Sequence, residues 1–166
     1  MLVLKKFNKT DIQDLLRWIS NTDNEFLIQF AGRRYNYPLD DLQLKGTMQD
    51  GNTLVFKATE QATGLMVGHC QLMKIDTEKQ TASIGRVLIK PEKRSMGYGY
   101  AMLKCLIEFA GDNLNLRHLN LRVFDFNRTA HQCYLKLGFT ETKREEVFFD
   151  EIQKTWVCLT MEYSID

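Results

Sequence analysis

The chain has 166 residues, with 22 basic and 21 acidic side chains and a net charge of +1. It is one domain's worth of polypeptide, spanning 1–166, long enough to bury a core without metals or cross-links. Near-neutrality excludes a strong field that would steer nucleic acid or anionic membrane to its surface, so any anion site has to be local. Cys70, Cys105, Cys133 and Cys158 form no C-x-x-C pair and sit beside no histidine cluster, which excludes a local zinc motif and points to reduced thiols. With no apolar run of 18 residues and no secretory core in residues 1–6, the expectation is a cytoplasmic protein with no membrane partner.

Leu2, Leu4 and Phe7 read as a short strand, and Thr10 caps a helix carrying Ile12, Leu15, Leu16 and Ile19 at helical spacing. Residues 21–37 show no clear period but carry Phe26, Phe30, Tyr35 and Tyr37, an aromatic loop suited to lining a pocket. Pro38 and Asp40 then announce a second short helix. Runs at 54–59, 65–75 and 81–89, parted by Ala62-Thr63-Gly64 and Asp76-Thr77-Glu78, predict an antiparallel meander. Residues 97–114 form a helix with Met102, Leu106 and Phe109 on one stripe and Leu103, Ile107 and Ala110 beside it, a face broad enough for a sheet. Leu119, Leu121 and Val123 alternate as a strand, 127–137 is helical, and strands at 139–147 and 154–163 close the chain. The order β-α-α-β-β-β-α-β-α-β-β predicts an α/β (α+β) domain, its strands before and after the long helix running parallel by the right-handed crossover rule.

The richest stretch is Arg94-Ser95-Met96-Gly97-Tyr98-Gly99, between the third strand of the meander and the long helix. Two glycines where a strand gives way to a helix let the backbone approach a ligand and aim several N–H groups at one anion. A dinucleotide fingerprint needs a third glycine or alanine where Met102 stands, and a P-loop needs Gly-Lys-Ser/Thr after four residues. Neither is present. Lys90, Lys93 and Arg94 add three cations on the approach.

This stretch resembles motif A of the GNAT N-acetyltransferase superfamily, Q/R-x-x-G-x-G/A, placed after the family's fourth strand. A second resemblance lies in Asn127-Arg128-Thr129-Ala130-His131-Gln132-Cys133-Tyr134, followed by Gly138-Phe139. There the family has an Asn opening a helix, a Tyr following it and a Gly-Phe pair starting the next strand. The resemblance covers nearly the whole chain. It implies a GNAT-like mixed, mostly antiparallel twisted sheet of about seven strands with about four helices, splayed between strands 4 and 5.

The resemblance further implies acetyl-CoA as cosubstrate, with no metal. Its pyrophosphate would lie on Arg94, Ser95, Met96, Gly97, Tyr98, Gly99 and Tyr100, and its pantetheine arm would pair with the backbone of Val87, Leu88 and Ile89. Asn127 would bond that arm, or act only as an ordinary helix cap, and Tyr134 would be the general acid toward the departing thiolate. Asn127 and Tyr134, seven residues apart, return to nearly one helical face. The acceptor is a primary amine, on a protein N-terminus or other peptide or on a small molecule, with a monomer or homodimer as the assembly. An alternative on the same fold is a catalytically silent acyl-CoA-binding or sensing module.

Better-equipped family members place a glutamate on the fourth strand where this chain has Gly85. Glu25, Asp76, Glu78 and Asp125 remain as bases without motif support. Deprotonating a lysine-like amine at pH 7 costs roughly 4.6 kcal/mol and an α-amine only about 1–1.4 kcal/mol, which favours low-pKa amines. The segment from Phe30 to Leu39 resembles the acceptor region of the branch holding ribosomal-protein and small-molecule acetyltransferases, where Arg33 and Arg34 would hold an anionic group of the acceptor. His69, His118 and His131 have no triad-like partner in the sequence and read as structural or surface residues.

Overall fold

The computed structural model describes residues 1–166. A seven-stranded sheet runs through it: β1 (Leu2–Lys6), β2 (Leu54–Glu60), β3 (Met66–Asp76), β4 (Thr81–Ile89), β5 (His118–Phe124), β6 (Thr140–Phe149) and β7 (Lys154–Ser164), in spatial order β1-β2-β3-β4-β5-β7-β6. All neighbours are antiparallel except β4 and β5. Those two are joined by the long helix α4 (Tyr98–Leu114), and parallel neighbours need such a crossover.

The helices divide between the two faces of the sheet. α1 (Ile12–Ile19), α2 (Asn24–Ala31) and α3 (Asp41–Met48) cover one, through a core of Ile12, Leu15, Leu27, Phe30 and Leu44 against Val55, Met66 and Leu88. α4 and α5 (Arg128–Leu137) cover the other, with Met102, Leu103, Leu106 and Tyr134 against Phe56, Ala58, Cys70, Ile84 and Leu121. Neighbouring residues Val55 and Phe56 sit in opposite cores, the period of two that a pleated strand imposes. At Gly68 a Cβ would lie 2.7 Å from the Met102 sulfur, so this glycine lets α4 settle onto β3. The four cysteines are free thiols, with Cys70 and Cys158 buried.

The helix count is five rather than about four. Residues 24–31, read as part of a loop, form α2, opened by Asp23, whose carboxylate accepts from the Phe26 N–H at 2.9 Å. The helical period is masked because this helix is buried on several sides at once. Ile28 packs in a cluster with Phe124, Phe149 and Cys158, while Leu27 and Phe30 belong to the core under α1.

Candidate active site

The pairing of β4 with β5 runs from Thr81 opposite His118 to Ile84 opposite Leu121 and stops there. β4 continues to Ile89 on the β3 side and β5 continues to Phe124 on the β7 side, so the two strands part and leave a gap in mid-sheet. The residues expected to pair with a pantetheine arm, Val87, Leu88 and Ile89, form the β4 edge of that gap. Val87 and Ile89 pack toward α4 and α5, and Leu88 toward α1 to α3.

A bulge sits where the strands part. Gln71 pairs with Gly85 and His69 with Leu88, so β4 carries an extra residue there, and Arg86 takes φ 49°. Bulges re-aim side chains and end pairing. The fully buried His69 ring bonds the Arg86 carbonyl through Nδ1 at 2.9 Å, which fixes the neutral tautomer with its proton on Nδ1. Burial, the dominant cause, lowers the His69 pKa to about 4. Sequence reasoning read His69 as structural or surface and passed over Arg86, although a signal for the bulge exists: the residues facing α4 and α5 switch from even positions (Ala82, Ile84) to odd ones (Val87, Ile89) across Gly85-Arg86.

Downstream of β4, Gly97 caps α4 in the left-handed conformation at φ 82°, following Ser95 at φ 61°. The first intrahelical donor is Ala101, bonded to the Gly97 carbonyl, and the N–H groups of Ser95, Met96, Gly97, Tyr98, Gly99 and Tyr100 have no partner in the chain. A Cβ on Gly97 would meet nothing within 4 Å. These free donors form a run, or cradle, at the positive end of a 17-residue helix, a geometry with the donors a pyrophosphate would need.

Of the three cations expected on the approach, Lys93 is committed elsewhere. Its Nζ lies 2.7 Å from Glu60, which also accepts from the Tyr98 hydroxyl, and these partners, Lys93 foremost, lower the Glu60 pKa to about 2. Tyr98 thus offers the cradle its backbone while its hydroxyl faces β2. Lys90 and Arg94 line a cavity of about 610 Å³ against α1, with Arg17 and Trp18. Met96 and Tyr100 are exposed.

Asn127 caps α5, its side chain accepting from the Ala130 N–H at 3.4 Å. Tyr134 is 7% exposed, in the core beneath α4 with its ring edge-on to Phe139 at 6.1 Å. Burial above all pushes its pKa up, so the phenol stays protonated at neutral pH, and no protein group bonds its hydroxyl. The cradle, the β4 edge and Tyr134 lie on the α4–α5 side of the sheet.

On the opposite face a second cavity of about 510 Å³ opens onto the gap, between α2 with the segment after it and the parting strands. Gly85 and Arg86 lie on its floor and Phe124 and Phe149 in its wall. The aromatic residues expected to line a pocket are divided: Phe30 lines it, Phe26 stacks on Phe30 without lining it, Tyr35 is buried and not in its lining, and Tyr37 is 53% exposed and outside it. Glu25, Asp76, Glu78 and Asp125 do not line it. Glu25 pairs with Lys154, and Asp76 accepts from the Lys79 N–H at 2.9 Å.

Comparison with known proteins gives the same assignment. The model of the acetyltransferase (GNAT) domain family matches residues 4–157. UPF0039 protein C11D3.02c of Schizosaccharomyces pombe is 29% identical over 138 residues, 82% of each chain. Among solved structures, spermidine N-acetyltransferase of Vibrio cholerae in complex with CoA and spermine superposes with a TM-score of 0.81 at 18% identity, over 98% of this chain and 95% of that one. A dodecameric structure of the same Vibrio cholerae enzyme gives 0.77 at 19% identity, over 98% and 93%.

Proposed function

We propose, for a chain that belongs to the GNAT acetyltransferase family, that it moves the acetyl group of acetyl-CoA directly to a primary amine held in the same complex, with Tyr134 as general acid. The observation that carries this reading is the run of free N–H groups from Ser95 to Tyr100 directly after a β4 edge left unpaired beyond Ile84 and Leu121. The family's cosubstrate has an anionic pyrophosphate, a strand-like arm and a terminal thioester. The free N–H groups from Ser95 to Tyr100 suit the first, the unpaired edge of Val87, Leu88 and Ile89 the second, and the protonated phenol of Tyr134 the third.

The chemistry balances without a covalent enzyme intermediate. A neutral amine attacks the thioester carbonyl carbon, forming the C–N bond while a backbone N–H of the Val87 to Ile89 edge stabilises the oxyanion. Collapse breaks the C–S bond, and the departing thiolate takes the Tyr134 proton. The surplus proton on the new amide nitrogen leaves to water, and the phenol is reprotonated from water. Asn127 keeps its capping role, with its remaining hydrogen-bonding capacity available to the arm. The Vibrio cholerae relative binds a small-molecule amine, and a cavity of about 510 Å³ suits acceptors of that size. Monomer and homodimer remain the proposed assemblies.

Replacing Tyr134 by Phe tests the assignment. General acid catalysis contributes about 10²–10⁴-fold, so kcat is expected to fall by that factor while the dissociation constant of acetyl-CoA changes little. An unchanged kcat removes Tyr134 from the reaction.

A further inference from the structure

The acceptor-side cavity has a charge balance that its size does not require. Lys74, Arg33, Arg34, Arg86 and Arg122 line it, and no aspartate or glutamate does. Arg33 and Arg122 have carboxylate partners beyond its wall, Glu151 at 3.3 Å and Glu145 at 2.8 Å. Lys74, Arg34 and Arg86 are in no ion pair.

Arg86 is the most firmly held of the three. Its Nη1 donates to Gln71 Oε1 at 2.6 Å, Gln71 donates to the Tyr35 hydroxyl at 3.4 Å, and Tyr35 bonds Thr47 at 2.8 Å. Its guanidinium lies 5.6 Å from the Tyr35 ring centroid, and the Arg34 guanidinium lies 6.0 Å from the same ring. The Arg86 Nε is buried without a partner. Asp50 lies outside the cavity and bonds the Asn52 N–H and the Thr53 hydroxyl, each at 3.0 Å; its charge acts on Arg34 and Arg86 through space, with no ion-pair contact to either. A polar network across β4, β3, the segment after α2 and α3 thus holds a cation beside the cavity with no carboxylate bonded to it.

We infer that this cavity takes small primary amines that carry an acid group, a carboxylate or a phosphate, and turns polyamines away; the inference rests on the acetyl-transfer reading above. Arg34, Lys74 and Arg86 meet the acid group, in the charge-assisted bonding that suits planar and tetrahedral oxyanions. The same cations act on the amine itself. Like charges disfavour an ammonium ion, so a cation-walled cavity releases the amine's proton to water and leaves the neutral nucleophile. That supplies the deprotonation for which Gly85 and its neighbours offer no carboxylate. A polyamine brings further ammonium groups to the same wall and gains no acid contact.

The test uses the full chain with saturating acetyl-CoA, following CoA thiol release and product mass for matched acceptors: leucine against leucinamide, phosphoethanolamine against ethanolamine, and spermidine. Leucinamide has the lower amine pKa, so a preference for leucine does not come from easier deprotonation in water. The expected result is a kcat/KM at least about tenfold higher for the acid member of one pair, which also separates carboxylate from phosphate, with spermidine the poorest substrate. Arg34→Ala should cut that acid-to-neutral ratio about tenfold, a readout that general loss of structure does not move. Equal or better turnover of the neutral members or of spermidine overturns the selection while leaving acetyl transfer standing. A ratio unmoved by Arg34→Ala overturns the assignment of that residue. Failure to acetylate any amine, with acetyl-CoA still bound in calorimetry, overturns the transfer reading and the selection with it.

Discussion

His69 shows how one buried side chain fixes the geometry of the site without touching a ligand. Its Nδ1–H satisfies the Arg86 carbonyl left over by the bulge, while Nε2 is buried without a partner and the ring stands edge-on to Phe7 at 5.1 Å. Because burial lowers its pKa from 6.5 to about 4, the unfolded chain binds this proton first as the medium is acidified. Stability is therefore complete above pH 6.5 and is lost as pH falls toward 4, by about 3 kcal/mol at about 1.36 kcal/mol per unit. Urea unfolding of the parent and of His69→Gln at pH 7.5 and pH 5 checks this, since the variant should lose that pH slope. The sequence left His69 as a structural or surface residue, which is its place in the fold. The parity switch across Gly85-Arg86 marks the bulge, but that His69 is the residue bonded there was not legible, because it depends on how β3 aligns with β4.

At the scale of single elements, the N-terminus of α4 separates what the fold needs from what a ligand needs. Gly97 holds φ 82°, so Gly97→Ala forces an L-residue into the left-handed region and should cost about 1–2 kcal/mol in denaturant unfolding. Gly99 has no such constraint, and its Cβ would make an ordinary contact with Ile89 at 3.8 Å. Gly99→Ala should leave stability equal or raise it by about 0.4–1 kcal/mol, yet raise KM for acetyl-CoA about tenfold by filling the cradle. If that KM stays at the parent value, the ligand does not approach Gly99. The strand-to-helix junction was legible because its signal is local, two glycines where an apolar alternating run gives way to a helical stripe. The commitment of Lys93 to Glu60 was not, since the two are 33 residues apart and meet only once β2 and the loop before α4 lie side by side. α2 escaped for a related reason, its apolar residues answering to two separate clusters and not to one face.

For the whole molecule, the antiparallel meander and the parallel pair across the long helix followed from patterns that each segment carries alone, strand alternation, helix stripes and the crossover rule, whereas the place of β7 between β5 and β6 and the sorting of helices onto two faces did not. The charge of the second cavity was legible only in part: the sequence offered Arg33 and Arg34, while Lys74 and Arg86 come from β3 and β4, and no stretch of sequence shows them together. Gly85 is where this collective property can be altered by one residue. A Cβ there would meet the Met73 methyl at 2.3 Å, the far end of a flexible side chain that also lines the cavity, so Gly85→Glu is accommodated by a Met73 rotation at an overpacking cost of about 1–3 kcal/mol. The new carboxylate offsets one cation and gives an ammonium ion a place to leave its proton. In competition between spermidine and leucine, read by product mass, the spermidine share should rise at least about tenfold, the effect of roughly 1.4 kcal/mol. A stable Gly85→Glu protein with the parent's product ratio would mean that shape, and not the field of Arg34, Lys74 and Arg86, chooses the acceptor.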